Sequence, residues 1–240
     1  MSDRRDPSRS DASQAAPAFG RGLTLVMDAA LGDGTLALLR DGTVIAARDV
    51  TMRSDRDEKL LPAVLAMLAD ADVTLADLHG LGVGAGPGSF TALRVIGATA
   101  KGIAHARGIP LYAIPSLALT VASDAATSAE GTRWLPTLDA LRGERYAALV
   151  TIGAGGMIAQ VEQLGVIPAA SVAERAAEVE ALPIGPGERH DARPQALGAP
   201  RCLALVNAMG AVPLASWEPM YGRLAEAQVK WEAAHGRSLS

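Results

Sequence analysis

The order of strand-like and helix-like segments in the first half of the chain constrains its fold more than any other feature. Three apolar segments of strand length come first, at residues 23–29, 35–40 and 43–50, and Asp41-Gly42 before the third is a hairpin signal. From residue 57 onward, apolar residues recur at helical spacing, and helices alternate with strands. This order predicts a mixed sheet with helices packed on its faces.

The alternating region completes this first unit. Its predicted helices cover residues 57–71, 90–107 and 115–126, and its predicted strands cover residues 78–85 and 109–114. Gly108 and Pro110 end the second helix, because glycine favours the left-handed conformation at a helix C-terminus and proline cannot continue a helix. Three strands followed by three helices that alternate with two strands is the order of ribonuclease-H-like domains. It is also the half-domain order of the actin, sugar-kinase and heat-shock ATPase superfamily.

The second half of the chain repeats this order in a shorter and weaker form. Predicted strands cover residues 134–140, 144–152 and 157–167, followed by a helix at 171–182, a short strand from 182 and a helix at 201–210. We therefore predict an α/β protein with two ribonuclease-H-like lobes, of which the second is truncated. The predicted domains are a disordered tail at 1–20, a first lobe at 21–126, a second lobe at 127–216 and a C-terminal segment at 217–240 that packs back or frays.

Composition excludes several functional classes. The 240 residues carry 22 Lys and Arg against 26 Asp and Glu, a net charge of −4, which argues against a surface dedicated to nucleic acid. The single cysteine, Cys202, cannot form an internal disulfide and is expected to be a small buried apolar residue. No apolar run approaches the ~18 residues needed to span a bilayer, and residues 1–20 lack the apolar core of a secretory signal. We therefore expect a cytoplasmic protein that does not bind membranes.

The segment GAGPGSFTALRV, residues 84–95, is the most distinctive local motif. It joins a predicted strand to a predicted helix, a place where backbone N–H groups can hold an anion. It lacks the Gly-Lys-Ser/Thr of a P-loop and the third glycine of a dinucleotide-binding motif, where Ser89 stands instead. The alternative is a tight turn in which glycines adopt positive φ and Ser89 or Thr91 caps the helix. This structural loop comprises Gly84, Gly86, Pro87, Gly88 and Ser89.

Residues suited to catalysis are sparse. The histidines are scattered, no Gly-x-Ser-x-Gly nucleophile motif is present, and no His pair one helical turn apart or Cys pair could hold a metal. ATP binding in this superfamily uses polar turns after the first strand of each lobe, yet residues 28–31 and 139–143 lack the expected hydroxyl or paired-glycine donors. Asp28 is either a carboxylate for Mg²⁺ or a turn residue at the strand end. We predict no catalytic residue, metal site or cofactor.

Longer segments closely resemble the TsaB family of tRNA-modification proteins. They are GAGPGSFTALRVIGATAKGIAHARGIPLYAIPSL from residue 84, EKLLP from residue 58, LDALRGERYAAL from residue 138 and EPMYGRLAEAQVKWE from residue 218. The resemblance covers about residues 22–232. Three positions depart from the family pattern: Asp28-Ala29-Ala30 replaces Asp-Thr-Ser, Arg56-Asp57 replaces His-Ser, and Ala92 replaces a glycine.

The resemblance implies a scaffold without catalytic activity. Members of the TsaB family bind TsaD, the subunit that transfers threonylcarbamoyl to adenosine next to the anticodon of ANN-decoding tRNAs. It further implies a TsaE-like ATPase in the ternary complex, a homodimer when the chain is free, and only indirect contact with tRNA. TsaD holds a metal with two histidines four residues apart, and the matching positions are Ser116 and Thr120 here. The alternative is a stand-alone ATP-dependent kinase, hydrolase or metallopeptidase of the same fold, which the older glycoprotease grouping suggested.

The predicted helix 90–107 has two distinct faces. On a helical wheel, Leu93, Ile96 and Ala100 fall on the face expected to cover the sheet. The opposite face combines small residues one turn apart with basic neighbours, namely Arg94, Ala98, Lys101, Gly102 and His105. Small residues let another helix approach closely, so this face either packs against the helix 57–71 or forms the interface with a partner. The family resemblance favours the partner interface.

Overall fold

The computed structural model of the protein describes residues 17–52 and 59–222. Its strands are β1 (Leu23–Asp28), β2 (Gly34–Arg40), β3 (Thr43–Val50), β4 (Gly80–Gly84), β5 (Leu111–Ile114), β6 (Arg133–Asp139), β7 (Glu144–Ile152), β8 (Ile158–Pro168) and β9 (Leu182–Ile184). Its α-helices are α1 (Leu60–Asp70), α2 (Phe90–Arg107), α3 (Ser116–Ala122), α4 (Val172–Glu178) and α5 (Leu203–Met209). Residues 57 and 58 of the first predicted helix lie outside the described ranges.

Two mixed sheets organise the described part of the chain. The first has the strand order β3-β2-β1-β4-β5, and the second has the order β8-β7-β6-β9. In the first sheet, β1 pairs antiparallel with β2 and parallel with β4, and in the second sheet β6 pairs in the same two ways with β7 and β9. The second sheet therefore repeats the first four positions of the first sheet.

Alternation along β1 assigns its buried side chains to two layers. Leu25 and Met27 belong to a core under α1 and α2, while Val26 belongs to the core on the opposite face. This second core also contains residues of α3, α5 and the other sheet, including Trp134 and Val150. A common core thus joins the two sheets, and the division into lobes at residues 126 and 216 stays a prediction.

Several predicted helices are shorter than expected, including the one predicted at 171–182, which ends at Glu178, and in two of them side chains or proline redirect the backbone. The helix predicted to residue 126 ends at Ala122, and the Asp124 carboxylate then accepts the Ala126 N–H at 2.8 Å to start a separate 3₁₀ turn. The helix predicted at 201–210 begins at Leu203, and a 3₁₀ segment containing Pro200 precedes it. Among the described residues, no helix is long and apolar enough to cross a membrane.

The predicted tail extends too far into the chain. Phe19 is 3% exposed, its ring lies 5.3 Å from that of Tyr112, and its N–H donates to the side-chain oxygen of Asn207 at 2.7 Å. The boundary at residue 20 is therefore wrong, because burial of an aromatic ring and a paired backbone N–H fix this segment to the core. Residues 1–16 lie outside the described ranges.

Candidate functional site

The glycine-rich loop between β4 and α2 packs tightly against the end of β1. A Cβ at Gly84 would overlap the Asp28 carboxylate, and a Cβ at Gly88 would overlap the backbone of Ala30. The Ser89 N–H donates to the Ala30 carbonyl at 2.8 Å, while Gly86 has a φ of 81° and precedes a cis peptide bond. The absence of a side chain at these glycines therefore allows close packing between loop and strand.

The loop is not an open cradle of N–H groups. The N–H of Ala85 donates to the Ile114 carbonyl at 2.8 Å, and the N–H of Gly86 donates to Ser116 Oγ at 3.1 Å. With Ser89 also bonded, three donors of the loop are already used within the chain. Ser89 or Thr91 was expected to cap the helix; Ser89 is the N-cap residue, and its hydroxyl makes no capping hydrogen bond. Hydrogen bonds from its backbone N–H groups therefore fix the loop to Ile114 and Ser116 on one side and to Ala30 on the other.

Asp28 lies at the centre of a buried polar network. Ser116 Oγ donates to Asp28 Oδ2 at 2.6 Å, and the Ala30 N–H donates to Asp28 Oδ1 at 2.9 Å. Thr120 Oγ1 donates to the Ser116 carbonyl at 3.1 Å, so both hydroxyl residues are committed within the fold. Burial raises the pKa of Asp28, and its two hydrogen bonds partly oppose that rise. The geometry matches a strand-end turn residue, the second of its two interpretations.

The turns expected to hold nucleotide phosphates are packed together by apolar side chains. Ala30 from the turn after β1 and Ala140 from the turn after β6 belong to one buried cluster. Its other members are Leu117, Leu138, Tyr146 and Ala148, with Leu31 packed against it. Within the described residues, no group of three or more His, Cys, Asp or Glu side chains could hold a metal ion. An apolar contact of this kind offers nothing to a triphosphate.

The outward face of α2 brings the five predicted interface residues together. Arg94, Ala98, Gly102 and His105 are exposed, and Lys101 is half-buried. No atom of α1 or of any other described element lies within 4 Å of the position that a Cβ would take at Gly102. The alternative that this stripe packs against α1 is therefore wrong at Gly102.

Residues 217–222 cover part of α2. They begin the C-terminal segment that was predicted to pack back or fray, of which residues 223–240 lie outside the described ranges. Lys101 Nζ donates to the Trp217 carbonyl at 3.0 Å, and the ring of Tyr221 lies 4.7 Å from that of Phe90. Arg94 stacks over the same Phe90 ring at 5.2 Å. Gly97 permits this approach because it has no side chain, and a Cβ there would lie 3.1 Å from Pro219.

The remaining candidates lie away from this region. Cys202 is fully buried, and burial raises the pKa of its thiol to about 12, as expected for an unreactive apolar residue. A shallow polar cleft of about 330 Å³ lies beyond α3, where His190 Nε2 lies 2.5 Å from Asp124 Oδ2. Sequence spacing gave no signal for this pair, because its members are 66 residues apart.

Comparison with known proteins places these features in a family. Residues 53–179 match the family described as "TsaD: tRNA N6-adenosine threonylcarbamoyltransferase". The chain belongs to this family. The TsaB-type resemblance is also confirmed: TsaB of Escherichia coli, a tRNA threonylcarbamoyladenosine biosynthesis protein, is 34% identical over 94 residues, which are 39% of this chain and 40% of that protein.

Other relatives give a consistent picture. An uncharacterised protein of Mycobacterium tuberculosis is 55% identical over 60 residues, which are 25% of this chain and 28% of that protein. A crystal structure from Pseudomonas aeruginosa, of a protein with similarity to the peptidase YeaZ, aligns with a TM-score of 0.65 at 21% identity, covering 84% of this chain and all of that one. This alignment supports the two-sheet α/β fold. The chain spans less than half the length of the curated relatives that it matches.

Proposed function

We propose that this chain is a non-catalytic scaffold of the bacterial machinery that attaches threonylcarbamoyl to adenosine in tRNA, and that it acts by binding a TsaD-like catalytic subunit. One observation carries the proposal. At the positions where the catalytic members of the family are expected to hold a metal with two histidines, this chain has Ser116 and Thr120, whose hydroxyls donate within the chain. Hydroxyls do not hold a transition metal as imidazoles do.

The apolar contact between the two strand-end turns supports the same conclusion. A kinase or hydrolase of this superfamily needs a polar cleft between those turns, yet Ala30 and Ala140 lie in one buried cluster there. The alternative of a stand-alone ATP-dependent enzyme or metallopeptidase therefore lacks a supporting feature among the described residues.

The outward face of α2 is the proposed docking surface. Ala98 and Gly102 leave the helix backbone accessible, so a partner helix can approach it closely. Arg94, Lys101 and His105 surround this stripe and supply hydrogen-bond donors at its rim. Helix α1, which packs on the same side of the sheet, also exposes an apolar side chain, Leu65. Small and apolar residues with a polar rim are typical of helix-to-helix interfaces.

The proposal also covers the partners of the chain. The chain binds the TsaD-like subunit, a TsaE-like ATPase joins the ternary complex, and the free chain forms a homodimer through the same face. Contact with tRNA is indirect, and the complex acts in the cytoplasm, where it modifies the adenosine next to the anticodon of ANN-decoding tRNAs.

The proposed fold has two lobes. Each sheet with its helices is a ribonuclease-H-like lobe, and the second is truncated because its sheet lacks a fifth strand among the described residues.

Reconstitution with one component omitted at a time tests the proposal. The purified chain is mixed with a TsaD-like subunit, a TsaE-like ATPase, threonylcarbamoyl-adenylate and tRNA, and modified adenosine is measured. We expect no product without either the TsaD-like subunit or this chain, and no ATP or peptide hydrolysis by this chain alone. Product formed by the chain without the TsaD-like subunit would contradict the proposal.

A further inference from the structure

Residues 213–222, here called the clasp, run along the first lobe. The Val212 N–H just before the clasp donates to the Leu111 carbonyl of β5 at 2.8 Å. Trp217 and Pro219 then cover Gly97 of α2, and the Met220 N–H donates to the Ala85 carbonyl in the glycine-rich loop at 2.7 Å. The clasp and the residue before it therefore contact, in turn, the sheet edge, the proposed docking helix and the loop.

The far end of the clasp contacts the second sheet. Tyr146 of β7 is buried, and its hydroxyl donates to the Tyr221 carbonyl at 3.5 Å. Gly222 has a φ of 74° and lies so close to the Tyr146 ring that a Cβ there would overlap it. Tyr146 belongs to the apolar cluster that joins Ala30 and Ala140. One short segment thus bridges α2 and the strand-end turns.

We propose that the clasp is a releasable tie that couples the outer face of α2 to the β6–β7 hairpin. A tie of this kind holds the two sheets at a fixed angle without a bound nucleotide. Within the described part of the chain, the hydrogen bonds that join the clasp to other elements are those of Trp217, Met220 and Tyr221, so it can open locally while the core stays folded. One residue of the proposed docking surface contacts it directly, since Lys101 Nζ donates to the Trp217 carbonyl. A second is linked to it through Phe90, because Arg94 stacks on the Phe90 ring that Tyr221 also contacts.

Substitution of Gly97 tests the coupling on the full chain. The three atoms nearest to a Cβ at Gly97 all belong to Pro219 and Trp217, so Gly97→Leu pushes on the clasp. Ala106→Leu is the matched control on the same helix, because Ala106 is exposed and lies outside the proposed docking surface. We expect hydrogen–deuterium exchange of the β6–β7 hairpin amides to rise about tenfold in Gly97→Leu and to stay unchanged in Ala106→Leu. A rise confined to the clasp and α2 would overturn the proposal.

A second variant approaches the tie from its other end. Gly222→Ala crowds Tyr146 and requires an unfavourable positive φ, so it should lift the clasp from β7. We expect faster exchange in the first turn of α2, about tenfold at Phe90–Leu93, although the substitution lies in the clasp. Unchanged exchange there would overturn the coupling even if Gly97→Leu failed to fold. Both measurements use the chain alone, so their failure would leave the proposed docking function standing.

Discussion

At the residue scale, Asp28 is a buried carboxyl group, and burial disfavours its charged form. Burial raises its pKa in the folded chain, whereas an aspartate in the unfolded chain has a pKa of about 3.9. Between these two values the folded state binds more protons than the unfolded state, so the free energy of unfolding falls as pH rises. The charge is tolerated because one hydroxyl and one backbone N–H donate to it.

Asp28→Asn separates this charge effect from packing. The amide is neutral at every pH, so we expect its stability relative to the natural protein to increase over the interval from about pH 4, near the unfolded pKa, up to neutral pH. Urea unfolding of both proteins across that interval measures the difference. Parallel stability profiles would show that the buried carboxyl does not titrate differently in the two states.

Substitution by alanine should change the free energy of unfolding in opposite directions at Gly84 and at Gly102. Gly84→Ala places a Cβ on the Asp28 carboxylate and should lower the free energy of unfolding by about 2–3 kcal/mol. Gly102→Ala meets open space in a helix and should raise it by about 0.5–1 kcal/mol. Chemical denaturation of the two variants checks both signs. Equal effects would mean that the loop can move away from β1 at little cost.

The stability of the folded chain should also depend strongly on Arg201. Its guanidinium donates to the Gly156 and Asp124 carbonyls at 2.7 and 2.8 Å and to Thr127 Oγ1 at 2.8 Å. We expect Arg201→Met to cost about 2–3 kcal/mol, because these acceptors lose a charged donor. Arg175→Met, which breaks only an exposed ion pair, should cost about 0.5 kcal/mol or less. A similar small loss for Arg201→Met in urea unfolding would contradict this role.

At the scale of elements, the outer face of α2 gives the sharpest prediction about binding. Ala98→Glu places a charge on the proposed interface, so the isolated chain should keep its stability within about 0.5 kcal/mol but lose the TsaD-like partner and the homodimer. Ala177→Glu makes the same change on the exposed side of α4 and should preserve both complexes. Size-exclusion chromatography and titration calorimetry measure the two outcomes. Normal association of a folded Ala98→Glu variant would remove α2 from the interface.

Elements were predictable from the sequence where a local signal terminates them. Helix α2 has its predicted bounds, because Gly108 adopts a φ of 62° and stops it. The buried position of Phe19 had no comparable signal, since an isolated aromatic residue shows no periodicity. The contacts within the candidate site also lacked a local signal. Asp28 and Ser116 are 88 residues apart in the sequence, and only the tertiary fold brings them together. Residue types at those positions were predictable, whereas their hydrogen-bond partners were not.

At the scale of the whole molecule, the shared core predicts cooperative unfolding. Val26 of the first sheet and Trp134 of the second sheet lie in one buried cluster, with α3 between them. We expect a single transition in which tryptophan fluorescence and far-ultraviolet circular dichroism change together. Two separated transitions would indicate that the sheets unfold as independent domains.

The contact between Phe19 and Asn207 also has a consequence for synthesis. These residues are 188 positions apart, and Thr35 Oγ1 likewise accepts the N–H of Ala196 from 161 positions away. The first sheet emerges early from the ribosome, but the face that carries Val26 is not fully covered until Ala196, Cys202 and Val206 join its core. A nascent chain stopped before that point would present this face to solvent, so chaperone binding and aggregation should concentrate in that interval of translation.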